Sequence, residues 1–395
     1  MRYFYEFWFV IGSTIQWNAS QSLLVVYCFL QLKQGTYLIW LNHYIKITTD
    51  KEWWEMRNKS LDAAKAVAAC LVVFIHVSFP GQVGQIIKVL ARCAVPFFFM
   101  ISGYFCYYEG KTAEDKIPSK ILHILKLFFI SLLFYLVWEY IMKFLSGEDT
   151  GEWLKELTDS SHLKEFALYN STSVVRAHLW FLPALIYCYA VDFFVEKWKL
   201  RKAAYCCIPV LLAMLLWRAE FCRFFGGFYH TMEYRNFLFT GFGFYLTGQM
   251  IHEYQDKMYQ CFVQKHTERH IKWLLIVGMA AGAALSILEY SFQNAREIYL
   301  GNCIAVICLF LWLVLYGKEK KISPILAEIG RKYAFLIYLL HPAVADVMKK
   351  ISHHVGIDSS LCYLWLRPLL VYGITLGMIQ GVFTLNMRLK NCSRR

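Results

Sequence analysis

From Leu61 onward the chain is a succession of apolar blocks of about twenty residues, each bounded by a short polar or basic stretch. A block of that length matches the roughly 30 Å of a bilayer's hydrocarbon core when helical. The blocks do not alternate apolar and polar residues, so a transmembrane β-barrel is excluded. The pattern predicts an all-α, polytopic integral membrane protein with about ten transmembrane helices. They fall near 61–80, 86–108, 121–145, 178–196, 203–217, 234–251, 271–289, 297–316, 332–348 and 361–386. Residues 1–55 differ, with only two short apolar pieces, at 3–14 and 20–31. Met56-Arg57-Asn58-Lys59 reads as a cytoplasmic start. The expected division is therefore an atypical extension at 1–55, arising from a misplaced start, and a membrane domain at 56–395. The rival is an extra N-terminal hairpin, whose two crossings leave the later topology unchanged. No removable signal peptide is expected.

Composition agrees with the blocks. Hydrophobic residues make up 58% of the chain and charged residues 17%. The net charge of +13 suggests nucleic acid only in a soluble protein; here it reads as the excess of Lys and Arg on cytoplasmic loops. One alternate set of loops holds Lys65, Lys120, Lys126, Arg201, Lys257, Lys321 and Arg388, with their neighbours. It has nearly twice as many basic residues as the other, which holds Lys88, Arg92, Arg176, Arg235 and Arg296. The first set is predicted to be cytoplasmic, with both termini, and the acidic 146–177 loop external. The thirteen cysteines show no spacing suited to zinc, and no metal is expected.

Polar residues inside the blocks mark candidate chemistry, because ionisable side chains in a membrane are costly. His76 lies in the first predicted helix, eleven residues after Lys65. That spacing is within about 20° of three full turns, so the two share a face, roughly 16 Å apart along the axis. Asp62, Ala69 and Val72 lie on or near the same stripe. Arg92 opens the second block at a depth that matches His76. A guanidinium there favours a neutral, basic imidazole and can stabilise an oxyanion. His178 and Trp180 open the fourth block at the outer mouth, His341-Pro342 lies near mid-membrane in the ninth, and Ser102-Gly103 reads as a close-packing site. Glu139 and Glu289 are further candidates, for pairing as much as for reaction. Each histidine can also serve only as a hydrogen-bonding link between helices.

These segments together resemble the membrane-embedded acyltransferase family 3, which includes O-acetyltransferases of bacterial surface polysaccharides. The resemblance rests on the Lys65-to-His76 spacing, the block RCAVPFFFMISGYF from Arg92, HLWFLPALIY from His178, and YLLHP ending at Pro342. It runs from about Arg57 to Leu385. The family often has Arg at the place of Lys65, and its basic RxxR-type pair is matched only by the looser Lys120, His123 and Lys126. The resemblance implies a multi-pass protein of the plasma membrane. It implies transfer of an acyl group, usually acetyl, from cytoplasmic acetyl-CoA or another acyl-CoA to a hydroxyl of a cell-surface or lipid-linked glycan. His76 and Arg92 are then the expected catalytic residues. Lys65, Lys120 and Lys126 are expected to bind the polyanionic donor, and His178, Trp180 and His341 the acceptor. The alternatives from other classes are a transporter or exporter of a small anion or lipid-linked sugar, and a sensor or scaffold with structural histidines.

Overall fold

The computed structural model describes residues 58–108, 112–224, 234–293, 296–317 and 322–392. The expected 1–55 extension lies outside the described residues. Helix α1 is Lys59–His76. Its N-terminus is capped by Asn58, whose side chain accepts from the amides of Ser60 and Leu61 at 3.0 and 3.3 Å. The same Asn58 donates to the Leu313 carbonyl at 3.3 Å, and Ser60 Oγ donates to that of Gly317 at 2.6 Å. The start of α1 is thus fastened to a distant helix end. The helix stops at His76, earlier than the expected Pro80. The residue before a proline is steered out of helical geometry, so Phe79-Pro80 ends the run.

The expected second span is broken. Helices α2 (Gly81–Ala91) and α3 (Ala94–Tyr104) meet at Arg92-Cys93. Pro96 accounts for the break: a proline ring clashes with the carbonyl four residues before it, here that of Arg92. The amides of Arg92 and Cys93 turn back instead to Val89 and Leu90. After α4 (Thr112–Ser146) the expected acidic loop holds two short helices, α5 (Thr150–Glu156) and α6 (Ser160–Tyr169). Asp149 and Asp159 cap them, so part of the loop's acidity serves helix starts.

A 3₁₀ turn, Ala177–Trp180, leads into α7 (Phe181–Lys197). Then come α8 (Arg201–Cys206) and α9 (Ile208–Phe224). A π-helical turn, Phe237–Phe242, opens α10 (Gly243–Gln264). The chain continues through α11 (Glu268–Gln293), α12 (Leu300–Tyr316), α13 (Pro324–Lys332), α14 (Ala334–Val355) and α15 (Leu361–Cys392). Every expected range falls on helix, and no strand occurs among the described residues.

Five stretches are long and apolar enough to cross a membrane: Gly81–Tyr104, Ala113–Ser146, Ala177–Lys197, Glu268–Phe292 and Leu361–Arg388. The count of about ten is not reached by that measure. Helix α1, for one, carries Lys59, Asp62 and Lys65 among its 18 residues. The α7 stretch is 56% buried and the α11 stretch 17%, so α7 is central and α11 peripheral. The exposed face of α11 carries Trp273, Leu274 and Val277, and α4 exposes Phe129, Leu133 and Phe144. Such faces suit lipid.

The core joins Phe97, Phe99 and Met100 of α3 to Leu182 of α7, Phe244 of α10 and Phe310 of α12. Helices α3 and α10 lie backbone to backbone. A Cβ added to Gly103 would fall 1.9 Å from the Tyr245 carbonyl oxygen, and one on Gly248 would fall 2.0 Å from that of Met100. Gly103 is therefore the close-packing position its sequence suggested. Gly248→Leu should force α3 and α10 apart, costing at least about 1–3 kcal/mol, and lower the melting temperature of the detergent-solubilised protein. Gly377→Ala, where an added Cβ meets nothing within 4 Å, should leave it unchanged.

Candidate active site

Three histidines from distant parts of the chain converge. His76 is the last residue of α1, His178 sits in the 3₁₀ turn before α7, and His341 lies on α14 just before Pro342. Their ring centroids are 5.2 Å apart for His76–His341, 5.8 Å for His178–His341 and 6.3 Å for His76–His178. His341 and His178 are buried at 0% and 4% exposure; His76 is exposed. The cluster thus has one accessible member backed by two enclosed ones.

Backbone carbonyls hold this arrangement. Pro342 has no amide hydrogen, so α14 has a gap in its hydrogen-bond ladder here. His341 Nδ1 lies 3.0 Å from the Ile337 carbonyl oxygen. A carbonyl only accepts, so Nδ1 carries the proton and Nε2 is the basic nitrogen of the neutral ring. The Nε2 atoms of His341 and His178 are buried without a hydrogen-bond partner among the described residues. Tyr338 donates its hydroxyl to the His178 carbonyl at 2.6 Å, and Tyr135 of α4 donates to that of Leu339 at 2.5 Å. Both phenol rings also pack on the His178 imidazole, with centroids 5.4 and 4.9 Å away.

Charged groups flank the cluster on two sides. At the α2–α3 break, Arg92 Nη1 lies 2.8 Å from Glu297 Oε2. Arg235, just before the π-helical turn, grips the same carboxylate with two nitrogens, at 2.9 and 2.8 Å. The charges of Arg235, Lys88 and Arg92 all act on His76. On the other side Arg176 pairs with Glu139 at 2.9 Å and with Asp346. Asp346 also accepts from Trp138 Nε1 at 3.0 Å. Glu139 is therefore a pairing residue. Glu289 accepts from the amides of Leu300 and Gly301 at 3.1 and 2.9 Å, so it caps α12.

Of the other expected site residues, Trp180 shares the 3₁₀ turn of His178. Trp180 is buried against Phe99, at 6.0 Å, in the core rather than at an outer mouth. Lys65 Nζ is 2.6 Å from Asp62 Oδ1, so its charge is already engaged. Lys120 donates to the Phe105 carbonyl and lies 5.1 Å from the Tyr108 ring centroid. Lys126 is exposed. Beside Lys120 stands a group the sequence reading passed over. Arg201, ion-paired with Glu196, donates to the Tyr108 carbonyl at 2.6 Å and lies over the Tyr107 ring at 4.6 Å. Among the described residues, no group of three His, Cys, Asp or Glu is placed to hold a metal ion.

Against this geometry the family comparison is decisive: the acyltransferase-domain family model matches residues 58–387. The chain belongs to acyltransferase family 3. The histidine cluster of this family 3 protein lies entirely within the matched region. A serine/alanine racemase of Enterococcus gallinarum is 34% identical over 142 residues, which cover 33% of this chain and 18% of the relative. An amino-acid racemase of Enterococcus faecalis is 21% identical over 324 residues, 75% of this chain and 43% of the relative. The chain spans less than half the length of either relative. No solved structure matches it.

The Arg92–Glu297–Arg235 bridge gives a direct test of the site's framework. Glu297→Gln leaves two guanidinium groups facing each other without a carboxylate. Removing one partner of an enclosed ion pair costs on the order of 3 kcal/mol. The thermal unfolding temperature in detergent should fall clearly, and Glu297→Gln combined with Arg235→Gln should recover part of the loss.

Proposed function

We propose that this membrane protein transfers an acyl group, acetyl in the first instance, from cytoplasmic acyl-CoA to a hydroxyl of a cell-surface or lipid-linked glycan. The observation that carries this reading is the convergence of His76 with His178 and His341, inside the region matched to the acyltransferase family. A thioester needs little activation, so the main requirement is a base for the attacking hydroxyl. His76, the accessible ring, takes that role. It removes the hydroxyl proton as the oxygen attacks the thioester carbonyl. The carbon–oxygen bond forms, the carbon–sulfur bond breaks, and the proton passes to the departing thiolate. His341, whose Nε2 has no hydrogen-bond partner among the described residues, is placed to orient the acceptor or to share the proton. Arg92 supplies positive charge near the developing oxyanion.

The donor fits the other face. Coenzyme A is polyanionic with an adenine ring, and Lys120, Lys126 and Arg201 stand there with Tyr107 and Tyr108. Cations and aromatic faces together suit a nucleotide. The Lys and Arg distribution supports cytoplasmic termini in a plasma membrane. A second reading, transport or export of a small anion or lipid-linked sugar, draws on the polar residues within the helices, and the relatives favour neither reading. Both are named for amino-acid racemisation, so proteins similar to this chain carry names unconnected with acyl transfer.

Labelled acetyl-CoA offered to membrane vesicles separates the two readings: label on a glycan supports transfer, while acceptor movement without label supports transport. His76→Ala should lower acylation by at least about a hundredfold without changing the amount of protein in the membrane; normal acylation would remove His76 from the chemistry. Lys120→Gln should raise the apparent KM for acyl-CoA severalfold and leave that for the acceptor unchanged. Lys120 is a cleaner probe than Lys65, whose replacement also breaks the Lys65–Asp62 ion pair. An unchanged KM for acyl-CoA would take Lys120 out of the donor site.

A further inference from the structure

Among the described residues, the outer side of the histidine cluster holds more positive charge than the one carboxylate placed there answers. Lys88 of α2 and Arg92 at the α2–α3 break are joined near Glu297 by Arg235, from before the π-helical turn. Arg92 and Arg235 share that carboxylate between them. Lys88 stands one helical turn before Arg92. It is partly buried and makes no ion pair or hydrogen bond among the described residues, yet it feels the charges of Arg92, Arg235 and Glu297. Among the described residues, three cations against one carboxylate leave a surplus of positive charge. An uncompensated charge in a low-dielectric setting is costly, so the surplus calls for a further anion. The accessible part is the Arg235 end, with 29% of that side chain exposed against 10% for Arg92. All three cations act on His76, which puts the anion beside the proposed base.

We infer that Lys88, Arg92 and Arg235 form a seat for a negatively charged group, phosphate or carboxylate, borne by the acyl acceptor close to its reactive hydroxyl. This inference rests on the acyl-transfer reading for the word acceptor. The donor's phosphates do not explain the seat, because Lys88, Arg92 and Arg235 all belong to the loop set opposite that of Lys120 and Arg201. A carboxylate or phosphate on the acceptor would take the place of the missing counter-charge. It would accept charge-assisted hydrogen bonds from Lys88 and from the exposed edge of Arg235. Such contacts fix the acceptor's orientation and place its hydroxyl against His76.

The test uses the full-length protein in discs of neutral lipid, with labelled acetyl-CoA and three acceptors: glucose, glucuronate and glucose 1-phosphate. The charged sugars should be acylated with at least about tenfold higher kcat/KM than glucose, as charge-assisted hydrogen bonds imply. The ratio of charged to neutral use should fall about tenfold in Lys88→Gln, which breaks no ion pair, and in Arg235→Gln; Lys88→Arg should keep it. Equal use of all three sugars, or variants that slow all of them alike, would overturn the inference. Should no sugar be acylated, the acyl-transfer reading fails, and binding still decides the seat. Glucose 1-phosphate or glucuronate that raises the melting temperature of the native protein but not of the variants supports an anion seat. No shift with either overturns it. If anionic lipid added to the discs removes the shift, the seat belongs to a lipid headgroup and the acceptor assignment is overturned.

Discussion

A polar group inside a bilayer has no water to bond to, and this constraint orders the site. Pro342 leaves the Tyr338 carbonyl without its helical donor, and backbone carbonyls around it are bonded by side chains. Ile337 offers its carbonyl to His341, Leu339 accepts the Tyr135 hydroxyl, and the His178 carbonyl accepts that of Tyr338. Each of these bonds either fixes a ring or ties one helix to another. Where the constraint is left unmet, at the two buried Nε2 atoms, the histidines face one another and the exposed His76. Unanswered nitrogens in such a place are poor architecture and good binding chemistry.

The same constraint explains the charges. The α2–α3 break follows from Pro96, and Arg92 stands at it. Arg92 then needs a carboxylate, and Glu297, 205 positions away, supplies it. Opposite, Arg176 sits between Glu139 and Asp346. One flank therefore has more cation than carboxylate and the other the reverse. The histidine cluster lies in the field between them, positive on the His76 side.

How much of this was legible in the sequence depends on the reach of each interaction. His76, His178, His341 and Arg92 stood out because each breaks an apolar run, a signal confined to one segment. The helices were legible for the same reason, although α1 ends at His76 and not at Pro80. The α2–α3 break could have been read from Pro96 four residues after Arg92. So could the Asp62–Lys65 pair, which sits at the helical spacing that brings side chains together. Glu297, Arg235, Tyr135 and Arg176 were not legible, because their partners lie far away in the chain and no local pattern names a partner. Trp180 was misplaced for a related reason: an aromatic at the start of an apolar block looks the same in sequence whether it meets headgroups or, as here, Phe99 in the core.

The division of exposure among the histidines bears on how the site works. Three equally accessible imidazoles would compete for the same proton and hold no acceptor in one pose. Here His341 has its tautomer set by Ile337 and is closed from solvent, and His178 is wedged between Tyr135 and Tyr338. Neither ring can turn without breaking a backbone bond or a ring contact. Of the three rings only His76, at a helix end, is exposed. Rigidity is therefore placed behind the reacting group, and access in front of it. For acyl transfer across a membrane that order matters, since the donor and acceptor have to meet at one atom while the surrounding helices keep the two faces apart.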